Sequence, residues 1–322
     1  MKNENKIKLL YLVDLFSKYS DENHILSMPE ILDYLDQKGI SAERKSIYDD
    51  IKILERWGMD IIFIRGKKQG YYLANSKLDL VEIKIICDMI ASSQFLSNKK
   101  SKQLINKCCN LTSKYHKEVI ENQVFLSDKK KDNIYIYYSI DKIQEAIIKK
   151  SSISFKYFDT TINNIKKYRK NAELYHIIPL SLLFENNRYY CIGYSKKHQS
   201  LTHYRMDKIE DVKIENKYEL TKELSIKKYI STNFKMSLGE IENVSITFNN
   251  QLYSSVTDFL GNDLFLEKIN GDTFTINLDT TISNSFISWI LGFGNQAKIN
   301  KPQKLINIIV AKTNEILKSY QS

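Results

Sequence analysis

The chain has 322 residues, of which 43% are hydrophobic and 27% are charged, so it is long enough to bury two or three hydrophobic cores. No apolar run approaches the roughly 18 residues that a membrane-spanning helix needs, and the start of the chain has no signal-peptide pattern. The four cysteines have no metal-ligand spacing, so we expect a cytoplasmic protein with reduced thiols.

The positive charge is unevenly distributed. The formal net charge is +10, and residues 129–213 hold 17 Lys+Arg against 9 Asp+Glu, which places +8 of it in this segment. Residues 1–75 hold 12 of each kind and are neutral. A basic middle segment is consistent with an anionic partner, and equally with a solvated lysine surface.

Residues 1–75 have the pattern of three helices and a hairpin. The capping box in SMPE marks the start of the second helix, and Ile47, Ile51 and Leu54 form the buried face of the third. Two β-like runs flank GKKQG, which favours a hairpin. This order is typical of a winged helix-turn-helix, whose recognition helix enters the major groove of double-stranded DNA.

The third helix and the hairpin supply the candidate DNA-binding residues. They are Arg44, Lys45, Ser46, Tyr48 and Lys52 on the helix, and Arg65, Lys67 and Lys68 on the wing. Asp49, Asp50 and Glu55 lie on the same helix and oppose phosphate binding. A winged helix used for protein contact is the alternative, whereas dimerisation would double the DNA contacts.

Residues 79–120 predict two long helices, because this stretch contains neither glycine nor proline. They are DLVEIKIICDMIASSQFL and, after SNKK, SKQLINKCCNLTSKYHKEVI at residues 101–120. A short amphipathic helix with Ser139 as its N-cap follows. Five β-like runs then predict a small antiparallel barrel or sandwich, in which Pro179 must lie at an edge, a bulge or a strand start. These runs are SISFKYF, ELYHIIPLSLLFE, RYYCIGYS, LTHYRM and DVKIEN.

The last segment alternates strand, helix, strand, strand, helix and strand, which is typical of a ferredoxin-like α+β unit. Its two middle strands flank an Asn-Gly turn, and a final amphipathic helix follows. Gly292, Gly294 and Ala297 fit the G-x-G-x-x-A fingerprint of dinucleotide binding. That fingerprint must follow a strand and open a helix, whereas this one closes a helix, so we interpret it as a helix cap and turn.

Several stretches occur in the order found in one protein family: ERKSIYDDIKILERWGMDI, HIIPLSLL, RYYCIGYS, HYRMDKI and SWILGFGNQAKINKP. Together they resemble bacterial transcriptional regulators of the WYL-domain family. Residues 189–194 stand where the family has Trp-Tyr-Leu, an apolar residue, Gly or Ala, and an aromatic residue. Residues 204–209 stand where it has Phe-Arg-Leu-Asp-Arg-Ile. Asp49 replaces an arginine that is frequent in the family's recognition helix.

The resemblance implies a multidomain α+β fold of four parts. These are a winged helix-turn-helix at 1–75, a helical linker at 76–128, an Sm-like five-stranded β-barrel (the WYL domain) at 129–215, and a ferredoxin-like α+β C-terminal extension at 216–322. It also implies that the barrel senses a ligand, either a nucleotide or a nucleic-acid fragment.

The barrel segment contains side chains suited to such an effector. Tyrosines stack on bases, and the planar fork of Arg205 can hold a phosphate, although a salt bridge to an aspartate is the alternative. Strand alternation places Tyr189 and Tyr190 on opposite faces, so at least one of them packs in the core. The candidate effector-binding residues are Lys156, Tyr157, His176, Tyr189, Tyr190, His203, Arg205 and Lys208.

No catalytic constellation, metal-ligand spacing or cofactor motif stands out in the sequence. The sequence therefore predicts a cytoplasmic, homodimeric transcriptional regulator that is not an enzyme and has no cofactor, metal or membrane partner. Two alternatives stay open. One is an RNA- or single-stranded-DNA-binding protein that acts mainly through the barrel, which the charge distribution favours. The other is an enzyme acting on nucleotides.

Overall fold

The computed structural model describes residues 2–66, 68–74, 78–127, 130, 135–163, 165–218, 224–261 and 266–321. Its contacts divide the chain into two compact units, Met1–Ile134 and Tyr135–Ser322. The architecture is mixed α and β in several sheets. No described helix combines the length and the apolar character needed to cross a bilayer.

The first unit begins with three helices and a hairpin, in the predicted order. The elements are α1 (Lys2–Tyr19), α2 (Met28–Gln37), α3 (Arg44–Trp57), β1 (Ile61–Ile64) and β2 (Gly70–Leu73), and the two strands pair antiparallel. The predicted capping box starts α2, and Gly58, in the left-handed conformation, ends α3. Ile47, Ile51 and Leu54 are buried as expected and pack in one core with α1 and α2.

Three further helices are present in the described residues of the first unit, where two were predicted. They are α4 (Leu80–Ser92), α5 (Asn98–Cys109) and α6 (Lys114–Gln123). Asp79, Ser97 and Ser113 are their N-caps, and each side chain accepts a hydrogen bond from a backbone N–H of the first turn. The prediction of one helix across residues 101–120 was wrong because Ser113 ends the preceding turn and starts a new helix.

The second unit opens with α7 (Tyr135–Ile148), which packs against the sheet that follows. The prediction that Ser139 caps this helix was wrong. Ser139 is buried within the helix, on the same face as Ile136, Ile143 and Ala146. The helix begins before Ser139 because Ile136, three residues earlier, continues its buried face.

Six strands form a curled antiparallel sheet that makes half of a barrel. They are β3 (Ser151–Thr160), β4 (Lys166–Tyr168), β5 (Tyr175–Glu185), β6 (Arg188–Ser195), β7 (Ser200–Arg205) and β8 (Ile209–Lys217). The strand order is β4-β3-β5-β6-β7, and β8 also pairs with β3. All five predicted strands are present. The prediction missed β4, which has only three residues and is too short to show an alternating pattern.

Pro179 lies at an irregularity between β5 and β6, as its missing N–H requires. Opposite it stands Gly193, where the two backbones approach closely. A Cβ atom on Gly193 would lie 2.7 Å from the carbonyl oxygen of Ile178 and 2.8 Å from Cδ1 of Ile177. This point of the sheet therefore accepts only glycine without a backbone shift.

The C-terminal part has the predicted alternation of strands and helices. After α8 (Ile226–Thr232) come β9 (Glu240–Asn249), α9 (Tyr253–Leu260), β10 (Leu266–Asn270), β11 (Thr273–Ile282), α10 (Asn284–Leu291), β12 (Ala297–Lys301) and α11 (Gln303–Gln321). The four strands form an antiparallel sheet in the order β10-β11-β9-β12. The hairpin turn is Gly271-Asp272 rather than Asn270-Gly271, because Asn270 pairs with Thr273. Gly292 and Gly294 follow α10 and precede β12, as predicted for a cap and turn.

We expect Gly193→Ala to lower the free energy of unfolding of the second unit by about 1–3 kcal/mol, because the new methyl group overpacks against backbone atoms. Urea titration followed by circular dichroism measures this change. Gly271→Ala is the matched control, since no atom lies within 4 Å of its added Cβ. Equal stability of the two variants would contradict the close approach at Gly193.

Candidate functional site

Four aromatic rings meet on one face of the curled sheet. Phe155 and Tyr157 alternate on β3, and Tyr175 lies opposite Phe155 on β5. Tyr204 comes from β7, and its ring centroid lies 5.0 Å from Phe155, 5.3 Å from Tyr157 and 5.4 Å from Tyr175. Edge-to-face packing at these distances is favourable. We call these four residues the aromatic cluster; Phe155 and Tyr157 are buried, whereas Tyr175 and Tyr204 are half-buried.

Two cations cover rings of the cluster. The guanidinium carbon of Arg169 lies 5.3 Å from the ring centroid of Tyr157, and Nζ of Lys170 lies 4.1 Å from that of Tyr175. Both belong to a tight turn in which residues 170–172 have φ between 50° and 67°. The left-handed region costs non-glycine residues roughly 1–2 kcal/mol each, so contacts such as these cation–π pairs must hold the turn.

Asp159, near the end of β3, fixes two cations. Nε and Nη2 of Arg169 donate hydrogen bonds of 2.6 and 3.2 Å to its two carboxylate oxygens. Lys208 donates to the same carboxylate. Two separate chain segments thus bring their charges to one point beside the aromatic cluster.

Asp207 holds a second group of cations. Nε and Nη2 of Arg205 donate bonds of 3.0 and 2.6 Å to its two oxygens, and Nη1 of Arg188 lies 4.0 Å from Oδ2. The salt bridge considered as an alternative for Arg205 is therefore present. The backbone N–H of Arg205 also donates to the hydroxyl of Tyr157 at 3.3 Å, which joins this group to the aromatic cluster.

Five cations thus surround two carboxylates at the edge of the aromatic cluster. We call them the basic rim: Arg169, Lys170, Arg188, Arg205 and Lys208. Their charges exceed those of Asp159 and Asp207, so the rim is positive. Aromatic faces beside guanidinium groups can bind a planar, anionic molecule by stacking and by charge-assisted hydrogen bonds.

The electrostatics keep both carboxylates charged. Hydrogen bonds from Arg169 and Lys208 lower the pKa of Asp159 to about 2. Burial alone would raise the pKa of Asp207, but the hydrogen bonds and charge of Arg205 outweigh burial and hold it below the ordinary value. Burial raises the pKa of Tyr157 to about 12, so its phenol is neutral at physiological pH.

The structure brings three of the sequence-predicted effector residues to this site, namely Tyr157, Arg205 and Lys208. Lys156 and His176 lie outside it. Lys156 pairs with Asp211 at 2.8 Å on the opposite face of β3, and Nδ1 of the exposed His176 lies 3.2 Å from Glu215.

The tyrosine pair and His203 also lie outside the aromatic cluster, although Tyr190 stands directly opposite Arg205 of the basic rim in the pairing of β6 with β7. Tyr190 is the buried member of the pair, and it packs with Ile192 against α8. Tyr189 is half-buried, and its ring lies 6.2 Å from that of Phe184. His203 is buried beside Tyr190, and its Nδ1 lies 2.8 Å from the hydroxyl of Tyr229. Burial lowers the pKa of His203, so it does not supply a positive charge at neutral pH.

Sequence reasoning missed several residues of the site. Tyr175 and Tyr204 lie in predicted strands, as Tyr157 does, but only the register of the sheet shows that their rings meet. Arg169 and Lys170 had a local signal, the basic run KKYRK, which was not used.

The exposed side of α3 presents most of the residues predicted to bind DNA. Arg44, Lys45, Tyr48 and Lys52 are exposed. On the hairpin, Arg65 and Lys68 are exposed, whereas Lys67 lies outside the described residues. Ser46 is half-buried and accepts a hydrogen bond from Lys8, so it is the least available of the set.

Asp50 does not share that exposed side. It is buried, and its carboxylate lies 2.7 Å from Nζ of the buried Lys8. Of the three acidic residues that opposed phosphate binding, only Asp49 and Glu55 remain exposed. Asp49 lies 3.6 Å from Lys52, close enough for a weak surface ion pair. The exposed side of α3 is therefore less acidic than the sequence indicated.

Comparisons with known proteins identify one segment. Residues 139–214, which contain the aromatic cluster and the basic rim, match the model of the WYL domain. No curated protein matches the sequence.

Two solved structures are distantly similar. Proteasome accessory factor B/C (PafBC) of Arthrobacter aurescens aligns with 99% of this chain at 15% identity and a TM-score of 0.32. This chain spans about half of that one, 49% of its length. A CRISPR Cas-related protein aligns with 99% of this chain and 92% of its own at 14% identity and a TM-score of 0.26.

The lowered pKa of Asp159 predicts an acid-dependent loss of stability. A carboxyl group with a folded pKa of about 2, below its ordinary 3.8, stabilises the fold when ionised, and this contribution disappears as the pH falls from about 4 to about 2. We therefore expect Asp159→Asn to make the decline in unfolding free energy between about pH 5 and pH 2 shallower than in the wild type.

Urea unfolding at a series of pH values measures that decline. Arg169→Gln should also make the decline in unfolding free energy shallower, because it removes a cation that keeps Asp159 ionised. An unchanged pH dependence in Asp159→Asn would show that these ion pairs do not stabilise the fold.

Proposed function

We propose that the chain is a DNA-binding transcriptional regulator whose WYL domain senses an anionic, nucleotide-like effector. The observation that carries the proposal is the aromatic cluster bordered by the basic rim, within the segment that matches the WYL domain. In this proposal, residues 1–75 bind DNA, 76–128 are a helical linker, 129–215 sense the effector, and 216–322 are the C-terminal extension. The proposed function is binding without catalysis.

The composition of the site supports a nucleotide or a short single strand as the effector. Half-buried Tyr175 and Tyr204 offer aromatic surface on which a base can stack, which contributes about 1–3 kcal/mol per base. Arg205 and Arg188 are partly exposed around Asp207, and the backbone N–H of Arg205 donates to the hydroxyl of Tyr157 in the cluster. Each guanidinium can present a planar fork to a phosphate. We also propose that the half-barrel is an Sm-like domain. The strand order β8-β3-β5-β6-β7 supports this proposal.

The first three helices and the hairpin support the DNA-binding part of the proposal. We propose that they form a winged helix-turn-helix in which α3 enters the major groove, because its exposed side carries Arg44, Lys45 and Lys52. Arg65 and Lys68 would contact phosphates from the hairpin. A homodimer would place two such helices on two half-sites.

The proposed mechanism is thermodynamic linkage. An effector that binds one arrangement of the dimer more tightly shifts the population toward it, and the two arrangements differ in how well both half-sites can be contacted. The helical linker would transmit this change.

The alternative function is RNA or single-stranded DNA binding through the barrel. The observation that favours it is the charge distribution, because residues 129–213 carry +8 of the net +10. Stacking on aromatic rings beside a basic groove is also the usual mode of single-strand binding.

We expect Lys45→Ala combined with Lys52→Ala to weaken duplex DNA binding and to reduce its salt dependence. Each lost phosphate contact lowers the slope of log affinity against log salt by about 0.9, so two contacts per chain lower it by about 2. Fluorescence anisotropy of genomic DNA fragments at several salt concentrations measures the slope. The control is Lys102→Ala with Lys107→Ala, which removes the same charge from exposed positions on α5. Equal slopes in the two variants would remove α3 from the interface.

We expect Arg205→Ala to weaken effector binding by about 10-fold or more, since a hydrogen bond to a charged group contributes about 1.5–3 kcal/mol. Isothermal titration calorimetry with a panel of nucleotides and short single-stranded oligonucleotides measures the affinity. Lys197→Ala is the control, because it removes an exposed cation from the turn after β6. Unchanged affinity in Arg205→Ala would exclude this arginine from the site.

The same variants separate the regulator from the single-strand-binding protein. A regulator loses duplex binding in the α3 variant and keeps it in Arg205→Ala. In the alternative, the barrel variant alone loses nucleic-acid binding, and duplex affinity stays low in every form of the protein.

A further inference from the structure

Two carboxylates and one imidazole converge in the first unit, where the loop after α1 meets the start of α6. Nε2 of His116 lies 3.3 Å from Oε1 of Glu22 and 3.8 Å from Oδ2 of Asp21. One ligand atom of each residue lies within 4.8 Å of the other two. We infer that these three side chains form a binding site for a divalent transition-metal ion, with Zn²⁺ as the best fit.

Two of the three spacings between the proposed ligand atoms fit a coordination sphere. Metal bonds of about 2.0–2.2 Å in a tetrahedron set neighbouring ligand atoms about 3.3–3.5 Å apart. The contacts of His116 with Glu22 and Asp21 lie within a few tenths of an ångström of that spacing. The 3.8 Å contact with Asp21 is too long for a hydrogen bond.

The surrounding groups orient the proposed ligands. Nδ1 of His116 lies 3.3 Å from the hydroxyl of Thr112, so Nε2 is the nitrogen that faces the carboxylates. Metal-binding histidines usually use their second nitrogen in this way, which fixes the tautomer. Asp21 is positioned by the hydroxyl of Ser113 at 2.6 Å and by the backbone N–H of Asn23 at 3.0 Å.

The proposed site is accessible. A cavity of about 310 Å³ is lined by all three proposed ligands, together with Ser113 and Asp79. Glu22 is exposed, so an ion can enter from solvent. The cavity has room for a water molecule as the fourth ligand that a three-residue zinc site takes.

The ligand set selects the class of ion. One imidazole nitrogen and two carboxylate oxygens suit a borderline ion, and Zn²⁺ binds such a set more tightly than Mn²⁺ does. Mg²⁺ prefers oxygen ligands and octahedral geometry. A bound ion would connect the loop after α1 to α6, and so join the three-helix segment to the helical segment within the first unit.

Titration calorimetry of the full chain with Zn²⁺ tests the inference. We expect one high-affinity ion per chain, and His116→Ala should weaken it more than about 100-fold, since even groups behind the ligands contribute about 10- to 100-fold. The loss of Zn²⁺ affinity in Thr112→Val should lie in that 10- to 100-fold range. Glu22→Gln should also weaken Zn²⁺ binding, and it should disturb the fold least because Glu22 is exposed. His176→Ala is the matched control, since its imidazole faces the carboxylate of Glu215 in the second unit.

Circular dichroism and thermal melting of each variant complete the test. Zn²⁺ should raise the Tm of the wild type and of His176→Ala, but not that of Glu22→Gln. The inference is overturned if the wild type binds no Zn²⁺, or if Glu22→Gln and His116→Ala bind it with wild-type affinity. No outcome depends on DNA or effector binding, so this test is independent of the proposed function.

Discussion

Ion pairing with Asp159 and Asp207 is the constraint on which the candidate site depends. Five cations gathered at one edge of a sheet repel each other, and each long side chain loses up to about 2 kcal/mol of rotamer entropy when it is ordered. The two carboxylates offset both effects, because Arg169 and Arg205 each bind a carboxylate through two nitrogens. The low pKa of Asp159 is the sign that this arrangement favours the charged form. Both guanidinium groups are therefore held in place before any ligand binds, that of Arg169 over the ring of Tyr157.

The two faces of the sheet have different roles because strand alternation divides the side chains between them. Tyr204 joins the aromatic cluster, whereas its neighbour His203 is buried against Tyr229 on α8. Tyr190 belongs to the same packed layer as His203. Tyr190, the buried member of the tyrosine pair on β6, is thus a packing element on this side, and the accessible aromatic surface of the cluster comes from β5 and β7.

The order of elements could be predicted from the sequence because caps, turns and strand alternation are local signals. Ser113 shows the limit of this approach, since a helix that restarts within four residues leaves the apolar pattern almost unchanged. In the site, Arg205 and Lys208 were found through the resemblance of one short motif. Tyr175 was not found, because its contact with Phe155 depends on the register between β3 and β5. Register and curl are set by long-range pairing, which single-sequence patterns do not specify.

Net charges counted from the sequence have the same limit as sequence patterns, because they do not show which charged side chains are buried. Residues 1–75 are neutral in sequence, which argued against phosphate binding. Burial removes Asp50 from the surface of α3 together with Lys8, so the sum over residues 1–75 stays neutral while the exposed side of α3 becomes less acidic. A buried ion pair of this kind contributes little net stability, but the removal of one partner strongly destabilises the fold. The relevant quantity is the charge on the exposed side of α3, where Arg44, Lys45 and Lys52 stand against Asp49 and Glu55.

The ion pairs of the basic rim do not prevent the rim from binding an anion. Partly exposed salt bridges contribute about 0–1 kcal/mol, whereas a hydrogen bond to a charged group contributes about 1.5–3 kcal/mol. Arg205 uses Nε and Nη2 on Asp207, and its guanidinium has a further nitrogen that can meet a phosphate. Arg188, at 4.0 Å from the same carboxylate, is held only weakly and can turn toward a ligand. An anion would therefore add to the existing network rather than replace it, and the aspartates would disfavour anions that lack a ring to stack on the aromatic cluster.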